Sequence, residues 1–211
     1  MALVFKEKLD TECCWGIWKI DESEHELLSL LDPPQTDITH FESIPHPRIR
    51  KESVASRLIL KTLVNECGEE YQGLFKNKNG KPFLYKSNLM VSYSHTEDYA
   101  AAIVHRTKQV GIDTEHIQEK MYKIAPRFMS DAELESAKND LEQICVYWCA
   151  KEAMYKLYNV KTVEFRDNLK INPFLKSSKG VITGEIHLGT FHSRSSIHYH
   201  RHEDVMVALC F

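Results

Sequence analysis

The residues in this sequence best equipped for chemistry are three carboxylates and the lysines near one of them. The stretch "VGIDTEHI", Val110 to Ile117, has the composition of a strand. Alternation then places Gly111, Asp113 and Glu115 on one face and Val110, Ile112 and Thr114 on the other. Two acids spaced i,i+2 on one face repel unless a cation sits between them, and Gly111 leaves room for something to approach the backbone. Oxygen-only donors suit Mg²⁺ or Mn²⁺, and Mg²⁺ uses few carboxylates and completes its shell with water and phosphate oxygens. The competing reading is a pair of solvent-facing acids at a strand end. The third carboxylate, Glu152, lies in "WCAKEAMYKLY", Trp148 to Tyr158. At about 100° per residue, Val146, Tyr147, Ala150, Ala153, Met154 and Leu157 form one side of a helix. Cys145, Trp148, Glu152 and Tyr155 form the other, with Lys151 and Lys156 flanking Glu152. A helix this apolar is expected to be buried, so Glu152 must project into something. The plain alternative is an exposed i,i+4 pair of Glu152 with Lys156, worth about 0.2–0.5 kcal/mol.

Three further groups could bind anions or metals. Ser94 and His95 end an apolar strand at a loop where functional groups gather. Gly80-Lys81-Pro82 is a turn whose lysine can reach an anion, accompanied by Arg48, Arg50, Lys51 and Arg57; only Arg57 lies among apolar neighbours. In "HYHRHE", His198, His200 and His202 would share one face of a strand, but the segment reads as a surface turn and no second cluster completes a site. Metal binding is not expected there.

The elements that must position these residues follow from local pattern. "LVFKEK" and "CCWGIWKI" read as strands. "SEHELLSLL" reads as a helix capped by Ser23, with Glu26 completing a capping box. Asp32 to Pro47, rich in proline and polar residues, is expected to be an ordered surface loop. Ile49 to Glu66 has helical periodicity, and Gly68 is a plausible stop. "NKNGKPFL" is a turn into a strand, followed by the strands "LMVSYSH", "YAAAIVHR" and "QVGIDTEHI". Helices are expected over Ser130–Lys138 and Asp140–Asn159, and several strands over Gly180–Phe211. An internal repeat pairs "TEDYAAAIV" (Thr96–Val104) with "HEDVMVALC" (His202–Cys210), and "ASRLILKTLVN" (Ala55–Asn65) with "AKEAMYKLYNV" (Ala150–Val160). The expected architecture is α+β, in two similar halves over 1–108 and 109–211 related by a pseudo-two-fold axis. A site between such halves would draw residues from both.

Composition narrows the function. The 211 residues are 43% hydrophobic and carry a net charge of −3, enough for a core without staples and without the basic footprint of a nucleic-acid binder. The six cysteines form no C-x-x-C pair, so reduced thiols and a cytoplasmic location are expected. No signal-peptide core or membrane-spanning run is present.

Taken in order, Gly80-Lys81-Pro82, Ser94-His95, Gly111-Ile112-Asp113-Thr114-Glu115 and Trp148-x-x-Lys151-Glu152-Ala153-x-x-Lys156 resemble the motifs of the 4′-phosphopantetheinyl transferase superfamily. The length is similar to its monomeric, surfactin-synthetase-activating type, and the motifs run from about Arg50 to Tyr158. The resemblance implies transfer of the phosphopantetheine arm of coenzyme A to a serine of an apo acyl or peptidyl carrier protein of fatty-acid, polyketide or peptide synthesis, releasing adenosine 3′,5′-bisphosphate. It implies that Asp113, Glu115 and Glu152 bind Mg²⁺ with the diphosphate, and that Lys156 sits on the diphosphate. Lys151 would contact a phosphate or the incoming serine, and Glu152 would accept the serine proton. Arg57 and His95 would take the 3′-phosphate, with Ser94 beside them, and Gly80, Lys81 and Pro82 would flank the adenine. Where family members place further lysines upstream of Arg57, this chain has His46, Arg48, Arg50 and Lys51; where some have a third strand acid, it has Thr114. The alternatives are a Mg²⁺-dependent phosphohydrolase acting on a nucleotide-like diphosphate and a non-catalytic coenzyme A-binding module.

Overall fold

A computed structural model describes residues 3–160 and 162–211. The chain is α+β and divides into two compact units, one ending at Val110 and the other running from Gly111 to Phe211.

The first unit contains β1 (Leu3–Lys8), β2 (Cys13–Lys19), α1 (Glu24–Leu31), α2 (Gln35–Glu42), α3 (Pro47–Glu66), β3 (Leu74–Lys76), β4 (Pro82–Leu84), β5 (Met90–His95) and β6 (Tyr99–His105). Its main sheet has the order β1-β2-β6-β5, and β3-β4 form a separate hairpin. The core lies between this sheet and α3, with Val54, Ile59, Leu60 and Leu63 of the helix fully buried. Helix α1 starts as expected: the Ser23 hydroxyl accepts from the Glu26 amide, and the Ser23 amide donates to the Glu26 carboxylate at 2.8 Å. The expected loop over Asp32–Pro47 instead contains α2. Its polar composition hides two inward residues, Asp37 and Phe41, and Asp37 is satisfied by side chains distant in sequence.

The second unit contains β7 (Gly111–His116), α4 (Lys120–Phe128), α5 (Asp131–Ala137), α6 (Leu141–Tyr158), α7 (Phe165–Asn168), β8 (Leu169–Ile171), β9 (Lys179–Leu188), β10 (Phe191–His202) and β11 (Val205–Cys210). The antiparallel sheet has the order β7-β11-β10-β9-β8, and α6 packs on one face of it. "HYHRHE" is not a surface turn: its histidines continue β10, paired with β11 through His198–Leu209, His200–Val207 and His202–Val205. Helices α4 and α7 were not expected from the local pattern.

The two units share a connectivity. In each, the first strand of the shared plan (β2, after the additional β1, and β7) leads into helices and later an antiparallel hairpin, whose last strand pairs back with it: β6 with β2, and β11 with β7. The residue after the first strand closes the same contact in both, Ile20 N–H to Asp98 C=O at 2.7 Å and Ile117 N–H to Asp204 C=O at 2.8 Å. The segments paired in the sequence repeat fall on these matching return strands and on α3 and α6. Among the described residues no helix is long and apolar enough to cross a membrane, and all six cysteines are free thiols.

Candidate active site

Gly111 decides how the second unit places its charges. A Cβ at this position would lie 1.9 Å from the Ala153 carbonyl oxygen and 2.8 Å from the Leu157 nitrogen. What approaches the glycine backbone is therefore α6 itself. The helix lies close against β7 and its neighbour β11, with Cys145 Sγ 3.9 Å from the Glu115 carbonyl of β7 and Cys149 Sγ 3.4 Å from the Met206 carbonyl of β11. The expected core side is buried, with Val146, Tyr147, Ala150, Ala153 and Met154 fully covered, and Cys145, expected on the other side, joins Cys149 against the sheet. As expected of a helix apolar nearly all round, α6 is covered on a second side too: Trp148 and Tyr155 pack against Phe128 and Phe165.

This packing brings Glu152 and Lys156 toward Asp113 and Glu115. Lys156 Nζ donates to Asp113 Oδ1 at 2.8 Å and to the Ile112 carbonyl at 2.9 Å. Glu152 is partly buried, and its carboxyl is pushed up to about 7. Burial is the largest cause, followed by the negative charge of Asp113; Lys156 pulls the other way and Glu115 adds to the rise. Asp113, Glu115 and Lys156 all act on Glu152, and all four groups belong to the second unit. Glu115 also pairs with Lys120 at 3.1 Å. The donor atoms of the three acids are not drawn within 4.8 Å of one another. Mg²⁺ does not require that, because it binds through one or two carboxylates and keeps several waters. Oxygen-only donors fit a divalent cation, which would also relieve the repulsion among the acids and the tightly held proton of Glu152.

Lys151 has a different task from the one expected. It is fully buried, and its ammonium donates to the Phe128 carbonyl at 2.7 Å, Glu133 Oε2 at 2.7 Å and the Phe165 carbonyl at 3.0 Å. Three acceptors use all three ammonium protons, leaving none for a phosphate or serine. Burial pulls its pKa down to about 8, opposed by Glu133. Glu133 was not singled out from sequence, although Ser130-x-x-Glu133 is a capping box. Its carboxylate takes the Ser130 amide at 2.7 Å and the Ile171 amide at 2.8 Å, in addition to Lys151.

Arg57 is likewise internal. It is 1% exposed; its Nε is 3.1 Å from Asp37 Oδ1, its Nη1 is 2.8 Å from Ser53 Oγ, and its guanidinium lies 5.0 Å from the Phe41 ring centre. Asp37 also accepts from Tyr71 OH at 2.7 Å and the Leu74 amide at 3.3 Å. The apolar neighbours that made Arg57 stand out reflect a buried ion pair, so the assignment to a 3′-phosphate is withdrawn. The remaining candidates of the first unit lie on two elements. Gly80 (φ +88) and Lys81 form the β3–β4 turn, with the Lys81 amide on Asn77 Oδ1 at 3.0 Å, and Pro82 opens β4. Ser94 and His95 end β5, and His95 Nδ1 faces Glu52 Oε2 at 3.2 Å. Arg48 pairs with Glu97 and Glu52, Arg50 with Glu24, and Lys51 reaches the Ile20 carbonyl.

Residues 109–210 match the family model described as the 4′-phosphopantetheinyl transferase superfamily. That match spans nearly the whole second unit. The chain is also similar to the 4′-phosphopantetheinyl transferase HetI of Nostoc sp. (strain PCC 7120 / SAG 25.82 / UTEX 2576), with 28% identity over 157 residues. That alignment covers 66% of this chain and 66% of the relative. The segment matched by the family model holds Asp113, Glu115, Glu152 and Lys156.

Proposed function

We propose that this chain transfers the 4′-phosphopantetheine arm of coenzyme A to a serine of an apo acyl or peptidyl carrier protein, releasing adenosine 3′,5′-bisphosphate, as a cytoplasmic, monomeric, Mg²⁺-dependent enzyme. The observation that supports this reading is the convergence of three carboxylates and one lysine inside the family-matched segment. Asp113, Glu115 and Glu152 would hold the cation, Mg²⁺ or Mn²⁺. When bound, it neutralises diphosphate charge, and such reactions depend mainly on positioning and electrostatics.

The chain's own groups have separable parts in this scheme. Lys156, held on Asp113 and the Ile112 carbonyl, offers its charge to the diphosphate, where the leaving bisphosphate gains negative charge. Glu152 takes the proton from the serine hydroxyl as its oxygen attacks the β-phosphorus. A carboxyl raised toward neutrality is better matched to that transfer than an ordinary glutamate. Gly80, Lys81 and Pro82 are proposed to flank the adenine, and Ser94 and His95 to meet the 3′-phosphate, which must compete with Glu52 for the imidazole. Incubation with Mg²⁺, coenzyme A and an apo carrier protein, followed by intact-mass analysis of the carrier, tests the proposal. Gain of one phosphopantetheine group is the expected result. Hydrolysis of coenzyme A with an unmodified carrier would favour a phosphohydrolase, and binding without turnover a non-catalytic module.

A further inference from the structure

We infer that the β9–β10 hairpin carries a second metal site, formed by Glu185, His187 and His192 and suited to zinc or a similar transition-metal cation. Glu185 and His187 stand two residues apart on β9 and so share a face. On β10, His192 is the ladder partner of His187, and Arg194 that of Glu185. The same alternation puts Ile182 and Ile186 on the opposite face, in the core with α6. The three groups therefore project from the sheet face turned away from the acid cluster's helix, near the Gly189 turn (φ +58).

Their geometry is convergent. His187 Nε2 and His192 Nε2 both face one carboxylate oxygen, Glu185 Oε2, at 3.3 and 3.5 Å. The two imidazoles stack with centres 4.2 Å apart, and the three donor atoms lie within 4.8 Å of one another. In a tetrahedral zinc site with bonds of about 2.0–2.1 Å, neighbouring donor atoms stand about 3.4 Å apart. A cation replacing the direct His–Glu contacts would need little side-chain movement.

The surroundings support this set. Asn168 Nδ2 donates to the His187 carbonyl at 3.0 Å, fixing the strand at the ligand. Arg194 Nε lies 3.9 Å from the other oxygen, Oε1. Lys170, across the ladder from Glu185, directs its ammonium to the Arg166 carbonyl at 2.6 Å. Two imidazoles and one carboxylate favour zinc-like ions over Mg²⁺, which prefers oxygen ligands throughout. The fourth position faces solvent and would hold water. The histidines of "HYHRHE" are not part of the set.

Zinc titration of the tag-free chain in excess Mg²⁺, followed calorimetrically, tests the assignment. One saturable equivalent is expected. His187→Ala and His192→Ala should each weaken it by at least about 10–100-fold, the loss known for outer-shell changes alone. Asp113→Asn and His200→Ala should leave it unchanged. Co²⁺ bound there should lack thiolate charge-transfer absorption. Absence of a saturable equivalent, its survival in His192→Ala, or its loss in Asp113→Asn would overturn the inference.

Discussion

Arg57 and Glu152 are both charged side chains on long helices that pack into a core, and their partners separate their roles. Arg57 is saturated by Asp37, Ser53 and the Phe41 ring, so its charge is spent inside the first unit. Arg57→Ala leaves Asp37 buried without its cation and is expected to cost about 3–5 kcal/mol in denaturant unfolding. The KM for coenzyme A in the folded variant should stay within about twofold, since only ground-state ligand contacts move KM alone. Glu152 has no such neutralisation. Its folded carboxyl binds a proton up to about pH 7, whereas an unfolded glutamate releases it near the ordinary value of 4.5. Between those values the native state holds a proton that the unfolded chain does not, so stability is lost as pH rises through the window. Metal-free Glu152→Gln is therefore expected to be more stable than the parent at pH 8, by about 1–2 kcal/mol after allowance for partial solvent exposure. The gain should vanish near pH 4.5, as read from denaturant midpoints in chelator at the two pH values. Mg²⁺ should raise the midpoint of the parent and not that of the variant.

At the scale of elements, α6 is the part that makes the site. The glycine at 111 lets it lie against β7, and Lys151 ties it to the end of α4, the start of α5 and α7 through Phe128, Glu133 and Phe165. Lys151→Ala would orphan Glu133 and two carbonyls at once. It is expected to destabilise the chain by about 3–5 kcal/mol, measured by urea unfolding, while the fraction that remains folded keeps Mg²⁺-dependent transfer. Loss of transfer with an unchanged unfolding midpoint would instead return Lys151 to the catalytic machinery. Much of this was legible from sequence as residue type and spacing: alternation put Asp113 and Glu115 on one face, and Glu152 and Lys156 one helical turn apart. The placing of Cys145 against the sheet was not, because a helix apolar on nearly every side gives a wheel no sharp boundary. Nor were Asp37 and Glu133, whose long-range partners come from 18 to 38 residues away (20 in the case of Arg57); local pattern records neither. The missed helix α2 has the same origin, since its buried acid looks like loop composition until Arg57 and Tyr71 are placed.

Over the whole molecule, one connectivity appears twice with different chemistry. The strand registers make Gly16, opposite Ala102, the counterpart of Asp113, opposite Ala208; Trp18, opposite Ala100, is the counterpart of Glu115, opposite Met206. The acid cluster therefore occurs in one unit, and the matching strand of the other carries a glycine and a buried tryptophan instead. The short repeats in the sequence already marked the return strands and long helices, because those segments must keep the apolar pattern of the shared plan. They did not show which copy had kept charges for chemistry; that came from the Asp-x-Glu spacing and the helix that faces it. The central claim is that the cluster around Glu152 carries out phosphopantetheinyl transfer. The most direct measurement is the intact mass of an apo carrier protein after incubation with Mg²⁺, coenzyme A and either the parent chain or Glu152→Gln, each shown to be folded. The account predicts one phosphopantetheine group added by the parent and at least about a 100-fold slower rate with the variant, the scale of a lost general base. Transfer by Glu152→Gln at the parent rate, or an unmodified carrier in both reactions, would contradict it.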